Sequence, residues 1–462
     1  MKQLLLFSIA LTFYTNTYAQ IGFETHIIAS GTNEVNRPYS VISADIDSDG
    51  YKDVLSASTE DGKIAWYRNL DGLGTFGPQL IISENADYAT SVYAADIDGD
   101  GDLDVLSASF NDDKIAWYEN LDGQGTFSTE QIITSLLDSA LVILAQDVDG
   151  DGDLDVIAGS NGNSEIVWFE NQNGLGQFSG PIDISENNTA TESILAIDFD
   201  GDNDIDLVAA LDYENKIVWY ENTDGLGNFG SRQVITADVS ASLSIFASDL
   251  DNDGDFDLLS TSFVEDEIVW FENMDGNGNF GTKQIITSNA DRPYEVYSED
   301  LDGDGDMDVF SASLSDNKIA WYENIDGTGS FGTQQIISQE FVGAVSVFAD
   351  DLDNDGDIDV LSCWFGGDTI AWHENTGLLN VDENTQLQLS IFPNPTNNIF
   401  NIKSKTNIIN VHIYNQLGQL VLEENNSEGI DKIQIDDLNV GLYFVKLKDA
   451  NGNYSIQKIL KY

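Results

Sequence analysis

Carboxylates in the order Asp-x-Asp-x-Asp, closed by a further Asp four residues on, recur seven times at an unbroken interval of 51 residues. The copies are Asp45, Asp47, Asp49 and Asp53; Asp96, Asp98, Asp100 and Asp104; Asp147, Asp149, Asp151 and Asp155; Asp198, Asp200, Asp202 and Asp206; Asp249, Asp251, Asp253 and Asp257; Asp300, Asp302, Asp304 and Asp308; Asp351, Asp353, Asp355 and Asp359. Carboxylates this crowded repel one another by several kcal/mol unless a cation sits among them. An all-oxygen cage suits a hard ion, and calcium is its natural occupant. An EF-hand is excluded, because it needs a Glu at position 12 and helical flanks. Position 12 here is Ser56, Ser107, Ala158, Ala209, Ser260, Ser311 or Ser362, and position 9 is Asp in every copy.

The loop geometry assigns ligand roles. Side chains at positions 1, 3 and 5 converge as the chain curls, and the Asp at position 9 closes the cage. The backbone carbonyl of position 7 points inward from Tyr51, Asp102, Asp153, Asp204, Asp255, Asp306 and Asp357. Position 6 is Gly in six copies and Asn203 in the fourth, where a left-handed turn is expected. About seven structural calcium ions are therefore expected. Identical ligands at every copy argue against a reactive metal, because chemistry would single out one site.

Residues that break the repeat are the places to look for other chemistry. Trp364 stands where the other copies have Ser58, Ser109, Ser160, Leu211, Ser262 and Ser313, and His373 stands where they have Tyr or Phe. Trp364 could stack on a sugar ring or pack the last sheet, and a core or rim place is favoured for His373 over a general base. Both are retained as candidate ligand contacts, and no catalytic residue is assigned. His26 falls on a strand near the start and His412 near the end.

The elements that position these loops follow from the second copy. Ser91–Ala95 reads as a strand leading into the acidic loop, followed by strands at Val105–Ser109, Lys114–Asn120 and Thr126–Ile133. Ile115 to Tyr118 is apolar at consecutive positions, so both faces of the sheet are covered. A four-stranded sheet packed on both faces is a propeller blade, and seven copies predict an all-β, seven-bladed propeller. Trp66, Trp117, Trp168, Trp219, Trp270, Trp321 and Trp372 keep the same period and read as the core between blades. The seventh copy lacks its last strand, and Phe23–Ile28 precedes the first alone, so the chain's start is expected to complete blade seven and close the ring.

The ends have their own signatures. Lys2, the apolar run Leu4–Tyr14 and Thr17-Tyr18-Ala19 read as a signal peptide over 1–19, too short for the roughly 20 apolar residues of a membrane span. The propeller follows over 20–379, a linker over 380–388, and a second small β-sandwich-like domain over 389–462. Net charge is −63, and residues 380–462 contribute only −2 of it, from nine acids and seven bases. Such a surface excludes nucleic acid and anionic membrane as partners. With Cys363 as the sole cysteine there is no intramolecular disulfide, leaving core and metal to hold an exported fold.

The acidic loops with strand flanks, over residues 22–377, resemble the FG-GAP/VCBS-type repeats of integrin α-subunit propellers and many secreted bacterial proteins. Phe76-Gly77, Phe229-Gly230 and Phe331-Gly332 echo part of the family's signature. The resemblance places calcium on the loop positions named above. Ser390–Pro395, Val411–Gly418, Leu438–Tyr443 and the basic end at Lys458 and Lys461 resemble the type A sorting domain of type IX secretion. That implies passage to the surface of a Gram-negative cell, with the secretion machinery as a partner and no membrane span after signal removal. The expected function is a calcium-stabilised, non-catalytic binding or adhesion module for an extracellular glycan or protein. A glycan-degrading lyase or hydrolase on a propeller scaffold, or a passive surface structural protein, are the alternatives.

Overall fold

The computed structural model describes residues 21–163, 165–184, 190–378, 389–415, 420–426, 429–436, 438–449 and 454–462. The expected signal peptide (1–19) and linker (380–388) lie outside the described residues. The chain divides into two compact units, one of residues 23–376 and a second that holds 377–462. Among the described residues the one helical turn is Asp212–Glu214, and every other element is a strand.

In the larger unit seven four-stranded antiparallel sheets follow one another along the chain. Sheet two shows the plan: Ala89–Ala95, Asp104–Ser109, Lys114–Tyr118 and Gln131–Thr134, paired in sequence order. The acidic loop joins its first strand to its second, and the register Ala95↔Asp104 closes the loop at its base. The second strand is buried along its whole length in every sheet, because neighbouring sheets cover both faces. The seventh sheet takes its outer strand from the chain's start: Ile21–Ser30 lies beside Thr369–Leu378.

The first strands of consecutive sheets touch in cyclic order, and the seventh touches the first, so the sheets form a closed, propeller-like ring. Packing between sheets rests on the periodic tryptophans. Leu106, Ala108, Ile115 and Trp117 of the second repeat share one core cluster with Ile143, Val156, Val167 and Phe169 of the third. The rings of Trp66, Trp117, Trp168, Trp219, Trp270 and Trp372 each lie over a glycine of the next repeat with no room for a side chain. A Cβ on Gly125 would come within 2.2 Å of the Trp66 ring, and one on Gly74 within 2.1 Å of Trp372, the contact that joins sheet seven to sheet one.

A hydrogen-bond ladder closes the same ring. The side-chain amide of Asn120 donates to the Ile46 carbonyl in the preceding acidic loop at 2.9 Å. Asn171, Asn222, Asn273, Asn324 and Asn375 repeat this bond onto Ile97, Val148, Phe199, Leu250 and Leu301. Asn69 completes the circle by donating to Leu352 in the seventh loop at 2.9 Å. Each bond is buried, where an unmet carbonyl would cost about 1–3 kcal/mol.

The smaller unit has two sheets. Leu389–Phe392, Ile399–Ser404 and Lys432–Gln434 form one, and Leu420–Asn425, Ile408–Tyr414, Gly441–Asp449 and Tyr454–Lys461 form the other in that order. Phe400, Val411, Ile413, Ile433, Val445, Leu447 and Ile459 fill the space between them.

Candidate functional site

The acidic loops cluster their carboxylates as expected. Ligand oxygens of Asp96, Asp98 and Asp100 lie within 4.8 Å of one another, as do those of Asp147, Asp149 and Asp155, of Asp198, Asp200 and Asp202, and of Asp45, Asp47 and Asp53. Two backbone positions shape each curl. Position 6 has positive φ throughout, from 73° at Asn203 to 98° at Gly254. Position 4 does too, at Ser48, Gly99, Gly150, Gly201, Asn252, Gly303 and Asn354, a requirement that sequence reading missed although small or Asx residues fill it.

Within each loop the carboxylates divide the work. The position-1 Asp accepts from the N–H of position 6, as Asp96 does from Gly101 at 3.0 Å. The position-9 Asp is buried and accepts two backbone N–H groups. Asp155 takes Val148 N–H at 3.1 Å and Asn171 N–H at 2.7 Å, and the other six copies do the same. Asn171 is also the residue whose side chain bonds the preceding loop. Position 9 therefore links each loop to the ladder between sheets.

Electrostatics show what the cluster lacks. Burial, opposed by the two N–H bonds, pushes Asp53, Asp104, Asp155, Asp206 and Asp257 up to about 7, and Asp308 and Asp359 up to about 8. Burial and the neighbouring position-5 carboxylate also raise Asp98, Asp149, Asp200, Asp251, Asp302 and Asp353. Buried oxygens of Asp96, Asp98, Asp147 and Asp351 have no hydrogen-bond donor. Lone pairs without donors, among charges that disfavour their own ionisation, fit a hard divalent cation.

Loop one fits less well. Its position 7 is Tyr51 where the other six have Asp, and the residue before its ladder Asn is Arg68 where the others have Glu119, Glu170, Glu221, Glu272, Glu323 and Glu374. Arg68 Nε lies 2.5 Å from Asp47 and Nη2 lies 3.0 Å from Asp49.

Trp364 and His373, held as candidate ligand contacts or core residues, are placed in the core. Both are fully buried. Trp364 Nε1 donates to Ser362 Oγ at 3.0 Å, and the ring meets Phe341 edge-on. His373 bonds Ser362 through Nε2 at 2.9 Å and Thr25 through Nδ1 at 3.1 Å, and burial lowers it to about 3. The seventh sheet has spent its two odd residues on its own core, sealing the strand borrowed from the chain's start.

The residues that break the repeat and face open space lie on the ring axis instead. A cavity of about 120 Å3 is bounded by the first strands of six sheets and by Leu243 and Ser244, which lead into the first strand of the fifth. Equivalent positions of the seven repeats present Tyr39, Thr90, Leu141, Glu192, Leu243, Tyr294 and Val345. The Tyr39 and Tyr294 hydroxyls hydrogen-bond each other. Glu192 accepts from the Asn161 amide at 2.6 Å and is raised to about 7 by burial and by Asp212. Glu295, one residue along from Tyr294, accepts Val347 N–H at 2.6 Å and is raised to about 7 by burial.

The mouth of this channel lies at the end of the inner strands away from the acidic loops. Phe365 packs edge-on to Tyr39, and Phe263 edge-on to Tyr294. The Arg37 guanidinium lies 5.0 Å from the Phe365 ring centroid and that of Arg292 5.5 Å from Phe263. Aligning the repeats would have exposed Glu192, Glu295 and the tyrosines as outliers, but their convergence depends on ring closure.

A closed ring of four-stranded sheets with a carboxylate loop on each defines a propeller-like repeat protein. The FG-GAP-like repeat family matches at 45–107, 97–158, 147–209, 198–260, 249–311 and 300–362, and the chain belongs to it. Residues 390–462 match the secretion system C-terminal sorting domain, which marks the chain for type IX secretion as an extracellular or cell-surface protein. No helix among the described residues is long and apolar enough to cross a membrane. No curated protein matches the chain. Solved structures that share the fold include a lectin and BBS1N. An Agrocybe aegerita lectin, solved for its recognition of non-reducing terminal N-acetylglucosamine, is 17% identical with a TM-score of 0.50 over 72% of this chain and 87% of the lectin. BBS1N, solved in complex with ARL6DN, is 10% identical with a TM-score of 0.52 over 74% of this chain and 94% of its own.

Proposed function

We propose that this chain is an extracellular binding module, stiffened by calcium at its acidic loops, that contacts a glycan or protein ligand at the opposite mouth of the central channel. The carrying observation is where the repeat breaks. Tyr39, Tyr294, Phe263 and Phe365, with Arg37 and Arg292 over two of the rings, gather at that one mouth. Aromatic faces beside guanidinium groups suit stacking on a sugar ring or capture of a peptide side chain.

In the loops, the carboxylates at positions 1, 3, 5 and 9 and the position-7 carbonyl would hold the ion. Bound calcium would neutralise the clustered carboxylates and fix the loop. Through position 9 and the ladder asparagines, that stiffening reaches the joints between sheets. The role is structural, and the ring it holds presents the mouth.

The test is a glycan array probed with the full chain, in calcium and in chelator, beside Tyr294→Ala and Arg292→Ala. Calcium-dependent hits weakened in both variants support the reading, whereas hits unaffected by both would move the ligand site elsewhere. A second reading, glycan cleavage, is favoured by one observation: Glu192 lines the cavity with its carboxyl raised to about 7, in the range of a general acid. Release of shorter products from array hits, abolished by Glu192→Gln, would turn the binding module into an enzyme.

A further inference from the structure

Loop one departs from the other six in a concerted way. Loop two assembles six carboxylates, from Asp96, Asp98, Asp100, Asp102, Asp104 and Glu119, and no cation. Loop one has four, and the chain places Lys52 and Arg68 among them. Arg68 is aimed into the loop, with Nε at 2.5 Å from Asp47 and Nη2 at 3.0 Å from Asp49. Asp47 is nearly inaccessible, with 2% of its side chain exposed, so the guanidinium meets it as a partly desolvated pair. The two carboxylates engaged are those at positions 3 and 5, which a metal ion would need.

Loop one also sits at the seam where the seventh sheet meets the first. Lys52 pairs with Asp350 of the seventh inner strand at 3.0 Å, and Ser43 donates to the same Asp350 at 2.6 Å. Asn354 of loop seven donates to the Gly72 carbonyl at 3.1 Å. The chain itself crosses this seam once, from Ile21–Ser30, the outer strand of the seventh sheet, to Pro38–Ala44, the first strand of the first sheet.

We infer that loop one carries its own cation: the Arg68 guanidinium takes the place of a divalent ion there, so that the protein binds six ions and not seven. The inference rests on the calcium reading of loops two to seven. Its consequence is a division of labour. Six loops depend on the calcium of the medium, and the loop at the seam holds its carboxylates together without it. An arginine cannot be chelated away, so loop one keeps a cation on Asp47 and Asp49 when calcium is scarce.

The experiment counts metal by elemental analysis on the full chain, stripped with chelator, reloaded with calcium and freed of excess. Arg68→Gln and Arg68→Glu are measured alongside, the first removing the charge with less repulsion in case the second fails to fold. Six ions per chain in the natural protein and seven in either folded variant is the expected result. Seven ions in the natural protein would overturn the inference while leaving the calcium reading intact. A count of six that does not rise in either variant would also overturn it, placing the defect elsewhere in loop one. No bound ion in any form would overturn both readings together.

Discussion

At one end of the inner strands, loops 51 residues apart repeat the same carboxylates seven times. At the other end equivalent positions of the seven repeats present Tyr39, Thr90, Leu141, Glu192, Leu243, Tyr294 and Val345 to a shared cavity, changing at nearly every step. Loops two to seven each add the same stabilising element, which is what a scaffold needs. A surface that draws five kinds of side chain from seven equivalent positions is singular, which is what recognition needs. The contrast assigns stiffness to one face and specificity to the other, and each assignment can be broken separately.

The largest effect is expected within the repeated face, between two carboxylates of one loop. Asp155→Ala would orphan the N–H groups of Val148 and Asn171 and should cost about 3–5 kcal/mol even in chelator, and more in calcium because position 9 also closes the cage. Asp149→Ala removes a position-3 ligand and relieves repulsion, so its loss of stability should appear only in calcium. Thermal melts of both variants under both conditions check the distinction. Equal behaviour of the two would dissolve it.

Next in size is the buried pair of the seventh sheet. Trp364→Leu should cost about 2–4 kcal/mol by leaving a cavity beside Phe341. Ligand affinity of the folded variant should be unchanged, as measured on whichever ligand the array identifies.

The pH dependence follows from the position-9 carboxyls. Their metal-free folded values of about 7 to 8 lie above the ordinary 3.8, so the folded state holds more protons than the unfolded state between those limits. Stability of the chelated protein should therefore fall as pH rises from about 4 through about 8. Calcium must displace these protons, so the gain in melting temperature on adding calcium should be larger at pH 8 than at pH 6. Melts across that range read it directly, and a gain that shrinks with rising pH would count against the loops as the metal sites.

The smallest effect belongs to the singular face. Arg292→Ala should weaken ligand binding about threefold to tenfold, the scale of one cation–π contact, with an unchanged melt.

How much of this was legible in the sequence depends on whether a feature was local or needed the ring. The loop ligands, the positive φ at Asn203 and the tryptophan core follow from spacing and backbone sterics, and the structure carries the latter two. The ladder asparagines recur every 51 residues beside the tryptophans, yet their role needs a partner 74 residues away. Trp364 and His373 were correctly seen as outliers, but burial by Phe341, Ser362 and Thr25 is a property of packing. Glu192 and Tyr294 were equally anomalous, and only closure of the ring turns them toward one cavity. Arg68 was visible as the one basic residue in a series of glutamates, though its reach into the loop was not.

The most direct test of the whole account is the melting temperature of the intact chain in excess calcium and after chelation. Each occupied site contributes about 2.7 kcal/mol at a hundredfold excess over its dissociation constant, so several sites acting together predict a drop of more than about 10 °C on chelation. An unchanged melt would contradict the claim that metal holds the repeated face.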